Sequence, residues 1–226
     1  MKTSASPDEL ANLIAAVQLA CTGEALLDAT EALSAMADPG SLDCLMEILT
    51  YNNPGAAVAA VEGLVSIGGP AVAPLLANLD QHNYGARAWA VRALAGIGDV
   101  RGLAVLEQAL AEDMVPSVRR AAACGLGRLQ LQGLGQEQQE EVIHRCFTSL
   151  EMGLSDGEWI VRYAVVVGLE KLTPALQSPP GDVSRVIESL GGLVNEEKEP
   201  VMVVRMRADL ALRRLNAKRP DRNLTK

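Results

Sequence analysis

A dipeptide of a small residue followed by leucine returns six times in this 226-residue chain, together with similar flanking residues. A period of about 30 to 45 residues is the signature of stacked structural repeats. It constrains the fold more than any other feature, because one repeat cannot bury its apolar face without its neighbours. The dipeptides are Ala32-Leu33, Gly63-Leu64, Ala93-Leu94, Gly125-Leu126, Gly168-Leu169 and Ala211-Leu212, with leucines 31, 30, 32, 43 and 43 residues apart.

Each dipeptide lies in a segment whose small and apolar residues recur at helical spacing. In the segment at 83–98 these residues are Ala86, Ala90, Ala93, Leu94 and Ile97. A second helical pattern follows turn residues, as at 71–79 and 101–110. The unit is therefore helix, turn, helix. The other segments that form a first helix are 23–38, 53–68, 115–130, 158–172 and 201–215.

These units predict an all-α fold, an α-solenoid of about six HEAT-like helical hairpin repeats, because the ankyrin and tetratricopeptide signatures are missing. Two longer connections, at 130–141 and at the proline-rich segment 173–182, account for the two longer periods. We expect residues 1–217 to form a single domain and residues 218–226 to form a basic, disordered tail.

Composition excludes several classes of function. A net charge of −8 argues against nucleic-acid binding, since phosphate contacts require a surplus of Lys and Arg. No apolar run is long enough for a membrane span, and the first ten residues lack the pattern of a secretory signal. The four cysteines are scattered and accompany only two histidines, so we expect no bound metal and no disulfide framework. The composition predicts a cytoplasmic protein with buried, reduced cysteines.

Four arginines occupy one column of the repeat, seven residues before the anchor leucine: Arg87, Arg119, Arg162 and Arg205. A guanidinium in this column can bond a carbonyl or carboxylate of the adjacent turn and tie neighbouring repeats together. Alternatively, Arg87 and Arg162 point into a ligand groove. The sequence leaves both interpretations open.

The column ten residues before the anchor leucine marks the first turn of each helix, because proline stands there in two repeats. In two other repeats it holds Tyr84 and Trp159, whose rings the core does not require. Trp89 and Arg92 lie three residues apart, as do Trp159 and Arg162, which places each pair on one helix face. These aromatics either fill gaps between repeats or form a binding surface.

Such a surface suits a flat, anionic, partly apolar ligand, since helix N-termini and arginines favour carboxylates and aromatic rings stack on planar systems. Asp156 and Glu158 accept pyrrole-like N–H groups, or else they cap the helix that follows. His82 is the catalytic candidate, for proton transfer, and His144 is expected to be structural. The candidate ligand-binding residues are Tyr84, Arg87, Trp89, Arg92, Arg119, Asp156, Trp159 and Arg162.

Three segments carry a family resemblance: "HNYGARAWAVRALAGIGD" (82–99), "PSVRRAAACGLGRLQ" (116–130) and "SDGEWIVRYAVVVGLE" (155–170). They resemble the HEAT-repeat phycobilin lyases of cyanobacteria, most of all the smaller, F-type subunits of the two-subunit enzymes. The resemblance implies a cytoplasmic enzyme subunit that pairs with a larger E-type HEAT subunit. It implies that the pair binds an open-chain tetrapyrrole (a bilin such as phycocyanobilin) as substrate, without a further cofactor. The bilin would be attached by a thioether bond to a cysteine of a phycobiliprotein α-subunit.

The same resemblance also implies a limit on the activity and an alternative function. Isomerising members of the family carry a His-Cys pair in the loop that corresponds to residues 82–85, whereas here His82 is followed by Asn83. The comparison therefore implies attachment without isomerisation. Other relatives dismantle phycobilisomes or carry bilins, so a non-catalytic adaptor or bilin carrier in phycobilisome assembly or degradation is the alternative.

Overall fold

The computed structural model describes residues 7–79, 83–176 and 180–217, without the side chains of 180–182. Within these ranges the regular structure consists of twelve α-helices and three short 3-10 turns, so the all-α prediction is confirmed. The α-helices are α1 (Pro7–Gln18), α2 (Gly23–Met36), α3 (Leu42–Ile48), α4 (Pro54–Ile67), α5 (Gly69–Ala77), α6 (Tyr84–Ile97), α7 (Leu103–Glu112), α8 (Pro116–Leu126), α9 (Gln136–Gly153), α10 (Trp159–Leu172), α11 (Pro180–Val194) and α12 (Met202–Ala217).

The six first helices of the repeats all begin at the column that proline marks. Their first residues are Gly23, Pro54, Tyr84, Pro116, Trp159 and Met202. The helix register was therefore readable from the sequence, because proline at the first helical position loses no hydrogen bond. Asparagine caps two of these helices: the side-chain oxygens of Asn53 and Asn83 accept 3.0 Å hydrogen bonds from the N–H groups of Ala56 and Ala86.

The anchor leucines form the core that joins the two helices of a repeat. Five of them, Leu33, Leu64, Leu94, Leu126 and Leu169, are at most 1% exposed. The sixth, Leu212, is only half-buried, which differs from the expectation for a core column. In the part of the chain that the structure describes, no helix follows α12, so nothing covers this leucine from the second-helix side.

The small residue before the anchor leucine lies where helices approach most closely. A Cβ added to Gly168 would lie 2.6 Å from the carbonyl oxygen of Ala123 and 2.8 Å from a methyl carbon of Leu150. A Cβ on Gly63 would lie 2.6 Å from the Ser34 hydroxyl, which itself donates to the carbonyl of Ala59. Both positions confirm that tight stacking requires little bulk in this column.

The helices group into two compact units, one ending at Gly102 and the other beginning at Leu103. In the first unit α2 packs on α4 and α4 on α6; in the second α8 packs on α10 and α10 on α12. Both arrangements are stacks of first helices, as the repeat predicts. The single-domain interpretation of residues 1–217 stays a prediction, and the tail 218–226 lies outside the described residues.

The two longer connections are shorter than the sequence suggested. Helix α9 already begins at Gln136, inside the predicted connection 130–141, because the run "QEQQEE" consists of good helix formers. In the segment 173–182 a 3-10 turn follows α10, and α11 begins at Pro180. None of the helices within 7–79, 83–176 and 180–217 combines the length and apolarity required to cross a bilayer.

Candidate functional site

Aromatic rings occupy the N-termini of two first helices. Tyr84 is the first residue of α6 and is half-buried, and Trp159 is the first residue of α10 and is 43% exposed. A Trp ring exposed to this extent contributes little to a core, and an exposed ring at a helix start is available to a partner or ligand. The structure thus agrees with the expectation that packing does not demand a ring at position 159.

Within the first unit, two arginines stack on two aromatic rings of α6. The Arg87 guanidinium carbon lies 5.3 Å from the Tyr84 ring centroid, and that of Arg92 lies 4.4 Å from the Trp89 centroid. Both distances are within the range of a cation–π interaction. The structure therefore brings the four candidates of α6 together as two pairs, each offering a flat ring and a cation.

A cavity of about 390 Å³ lies beside the start of α6, between this helix, α3 and α5. On α6 and its cap it is lined by Asn83, Ala86 and Ala90, and not by the two stacked pairs. Across from them it is lined by Asp43 and Glu47, whose carboxylates repel an anionic ligand. The prediction that the α6 pairs bind a ligand therefore rests on the pairs themselves and not on this cavity.

In the second unit, the arginine column forms two interlocking clamps. Arg119 donates from Nε and Nη2 to the two carboxylate oxygens of Asp156, at 2.7 and 2.9 Å, and from Nη1 to the carbonyl of Asp113. Arg162 repeats this pattern with Glu199, at 2.6 and 2.8 Å. In both cases the carboxylate lies 37 residues after the arginine, in the loop before the next first helix.

The clamps favour the structural interpretation of this column over the ligand interpretation. The side chains of Arg162 and Glu199 are 13% and 1% exposed, and Nη1 of Arg162 also donates to the carbonyls of Asp156 and Gly157. The guanidinium therefore uses Nε and both Nη groups within the protein. Binding of a bilin propionate by Arg119 or Arg162 stays a prediction. It would require that the arginine release its hydrogen bonds to the protein and form new ones to the propionate.

Asp156 is likewise engaged within the protein. Its Oδ1 accepts from the backbone N–H of Glu158 at 2.8 Å, which fixes the loop before α10, while both oxygens accept from Arg119. Burial raises the pKa of Asp156, but the hydrogen bonds from Arg119 and Glu158 outweigh this effect and hold the pKa below its usual value. Asp156 is therefore an ionised loop-fixing residue, and its role toward pyrrole N–H groups stays a prediction.

Groups for covalent or metal chemistry are few. The prediction of buried cysteines holds for Cys146 and is wrong for Cys21, which is exposed. His82 lies outside the described residues, so its role in proton transfer stays a prediction; His144 is exposed on α9. Burial raises the pKa of the Cys146 thiol to about 12, so this thiol is not a nucleophile at neutral pH. Across the described ranges, no three or more His, Cys, Asp or Glu side chains are grouped so that they could hold a metal ion.

The structure contains a groove of about 450 Å³ between α10 and α12 that the alignment of the repeats did not predict. Its lining includes Tyr163, Val203, Met206, Arg207 and Leu210. The signal that could have revealed it is an apolar stripe on α12 that the core does not use, since Met206 and Leu210 are 60% and 40% exposed. Trp159 lies one turn before Tyr163 on the same face of α10.

Comparison with known proteins relates up to 93% of the chain to one group of proteins. A family model for HEAT repeats matches residues 52–127 and 73–170. The chain is 46% identical over 196 residues to the phycocyanin alpha phycocyanobilin lyase CpcF of Synechocystis sp., covering 87% of this chain and 89% of that protein. It is 43% identical over 212 residues to a phycocyanobilin lyase subunit beta of Pseudanabaena tenuis, covering 93% and 75%.

Two further similarities concern assembly. The chain is 44% identical over 206 residues to a phycobilisome maturation protein of Synechococcus elongatus, covering 91% of this chain and 97% of that protein. Among solved structures it is similar to the complex of CpcE and CpcF of phycocyanin lyase from Nostoc sp. PCC7120, with a TM-score of 0.69 and 38% identity. That match covers 77% of this chain and 99% of the matched chain.

Proposed function

This chain belongs to the family of HEAT-repeat phycobilin lyases, and we propose that it is the smaller, F-type subunit of a heterodimeric phycocyanobilin lyase. With a larger E-type subunit it binds an open-chain tetrapyrrole and attaches it by a thioether bond to a cysteine of a phycocyanin α-type subunit. We place the reaction in the cytoplasm.

The observation that carries this proposal is the extent of the similarity. The two sequences are 46% identical, over 87% of this chain and 89% of a protein named as a phycocyanin alpha lyase. At this identity and coverage the two proteins share one architecture. The structural similarity to a chain of the CpcE and CpcF complex points in the same direction and suggests an E-type partner. A match to HEAT repeats alone would be much weaker evidence for a function, because this architecture serves many functions.

The chemistry of the described residues fits a subunit that positions the substrate rather than one that forms a covalent intermediate. The acceptor protein supplies the thiol, so the high pKa of the Cys146 thiol is no obstacle. Positioning alone lowers a barrier substantially when it holds two reactants in an aligned geometry. On α6, the Tyr84–Arg87 and Trp89–Arg92 pairs combine flat rings with cations, which suits a surface beside the bilin or against its protein acceptor.

Reconstitution of attachment tests the proposal. The chain is co-expressed with an E-type partner, a phycocyanin α-subunit and enzymes that synthesise phycocyanobilin, and the acceptor band is examined for zinc-enhanced fluorescence on a denaturing gel. We expect a fluorescent acceptor band that requires both lyase subunits. A fluorescent band of the same intensity without this chain would contradict the proposal.

A second function is favoured by one comparison, the similarity to a protein named for phycobilisome maturation. In that case the chain is a non-catalytic adaptor or bilin carrier, and its surfaces bind phycobilisome proteins. The same reconstitution separates the two. A stable complex with the acceptor and no covalent bilin would favour the adaptor.

A further inference from the structure

Helix α12, the last helix of the described residues, carries an exposed apolar stripe. Val203, Met206 and Leu210 lie on one helix face and are 42%, 60% and 40% exposed. At the same positions of the repeat, 86 residues earlier, α8 carries Ser117, Arg120 and Cys124. On α10, 43 residues earlier, these positions hold Ile160, Tyr163 and Val167, which are half-buried, so apolar side chains occur at these positions in both helices that border the groove. On α12 they lie exposed, which makes this face available to a ligand.

The stripe borders the groove between α10 and α12, and the groove has the character of a ligand site. Its volume of about 450 Å³ falls in the range of small-molecule sites, which are mostly apolar with a few polar groups. The Tyr163 ring lines the α10 side, and the Arg207 guanidinium carbon lies 6.0 Å from its centroid, so an aromatic surface and a cation adjoin in the groove. Met206 supplies a flexible, polarisable side chain that adapts to an irregular ligand surface.

Arg207 gives the groove a buried cation with unused hydrogen-bonding capacity. Its side chain is 9% exposed, and Nη2 donates to a carboxylate oxygen of Glu170. Its Nη1 is buried and has no hydrogen-bond partner among the described residues. Buried polar groups are normally satisfied, and an orphaned donor on a charged group is costly, so this atom marks a place for an acceptor.

The charges around the groove favour one carboxylate. Arg214 also approaches Glu170, at 3.4 Å, and Arg213 pairs with Asp209 at 2.8 Å. Together with Arg207 these groups comprise three arginines and two carboxylates, which leaves one positive charge. A ligand with a flat apolar body and a carboxylate therefore fits both the lining and the charge balance of the groove.

We propose that the groove between α10 and α12 binds the open-chain tetrapyrrole, with its pyrrole rings against Tyr163, Met206 and Leu210 and one propionate on Arg207. This proposal rests on the proposed function for the identity of the ligand. It assigns bilin contacts to residues outside the arginine column, and it leaves the clamps of that column intact. Trp159, one turn from Tyr163, lies at the edge of the same surface.

The test measures the affinity of the assembled heterodimer for phycocyanobilin, from the change in visible absorbance and circular dichroism of the pigment. Met206→Asp puts a charge on the stripe at an exposed position, so we expect the fold to persist. The matched control is Val58→Asp, at the same position of the repeat on α4, where Val58 is 46% exposed. We expect Met206→Asp to weaken bilin binding by about tenfold or more and Val58→Asp to leave it unchanged.

Esterification of the pigment tests whether a propionate charge contributes to binding, as the contact with Arg207 requires. The dimethyl ester cannot accept a charge-assisted hydrogen bond, so we expect it to bind the unaltered heterodimer about tenfold more weakly than the free acid. Equal binding of ester and acid would overturn the assignment of Arg207.

The remaining outcomes keep the two proposals apart. If the heterodimer binds phycocyanobilin and Met206→Asp binds it equally well, the groove is not the site, while the lyase function stands. If Met206→Asp separates the two subunits, the stripe is a protein interface and the ligand proposal is overturned. If the unaltered heterodimer binds no bilin at all, the proposed function itself fails.

Discussion

Replacement of Arg162 by leucine distinguishes a structural clamp from a ligand-binding arginine. The substitution removes four hydrogen bonds: two to the Glu199 carboxylate, and two to the carbonyls of Asp156 and Gly157. It leaves the carboxylate of Glu199, whose side chain is 1% exposed, with a 2.9 Å hydrogen bond from the backbone N–H of Val201. Removal of one partner of a buried ion pair costs about 3 to 5 kcal/mol, a large fraction of the stability of a domain.

The double variant Arg162→Leu/Glu199→Leu removes both charges. Because no uncompensated charge stays buried, we expect it to recover a large part of the loss. The control is Arg213→Gln, which breaks a pair whose side chains are 76% and 42% exposed. Exposed pairs of this kind contribute about 0.2 to 1 kcal/mol, so the control variant should unfold almost as the unaltered chain does.

Urea unfolding at pH 7, followed by circular dichroism at 222 nm, measures these differences from the transition midpoint at constant slope. A loss below about 1 kcal/mol for Arg162→Leu, or a double variant as unstable as the single one, would refute the clamp. If Arg162→Leu instead keeps its stability and loses affinity for phycocyanobilin, the ligand interpretation of this arginine is correct.

Three further outcomes follow from the packing and the pKa values. Gly168→Ala should destabilise the fold by about 1 to 3 kcal/mol in thermal unfolding, because its Cβ would lie 2.6 Å from a carbonyl oxygen, whereas Gly157→Ala, with nothing within 4 Å, should not. Hydrogen bonds from Arg162 hold the pKa of Glu199 below its usual 4.5, so its contribution to stability is complete above pH 4.5 and is lost as the pH falls through the lower folded value. Glu199→Gln should therefore flatten the acid limb of a plot of stability against pH. Iodoacetamide at pH 7.5 should alkylate exposed Cys21 rapidly and Cys146 only on unfolding, as peptide mapping will show.

The repeat made the helices predictable because its columns carry backbone constraints. Proline and asparagine fix where a first helix begins, and the same column holds in repeats where Tyr84 or Trp159 replaces proline. The burial of the anchor leucines followed from the same periodicity. Leu212 departed from the pattern because burial depends on a neighbouring helix, which a column does not reveal.

The candidate site was predictable only in part. The stacking of Arg92 on Trp89 follows from a spacing of three residues on a helix, and the structure confirms it. The partners of Arg119 and Arg162 lie 37 residues away, so the sequence could not choose between a carboxylate of the next repeat and a ligand. Arg207 was not among the predicted site residues because it stands outside the arginine column. Its buried Nη1, which has no hydrogen-bond partner among the described residues, can be recognised only in the structure.

The constant spacing of the clamps makes the second unit modular. Arg119 and Arg162 are 43 residues apart, as are Asp156 and Glu199, so excision of residues 156–198 would place Glu199 where Asp156 now stands. The shortened chain would retain a matched arginine and carboxylate, Arg119 with Glu199, at the remaining junction. Loss or duplication of one 43-residue period is thus a change of length that keeps this clamp paired, so the second unit can lose or gain a repeat without a new ion pair.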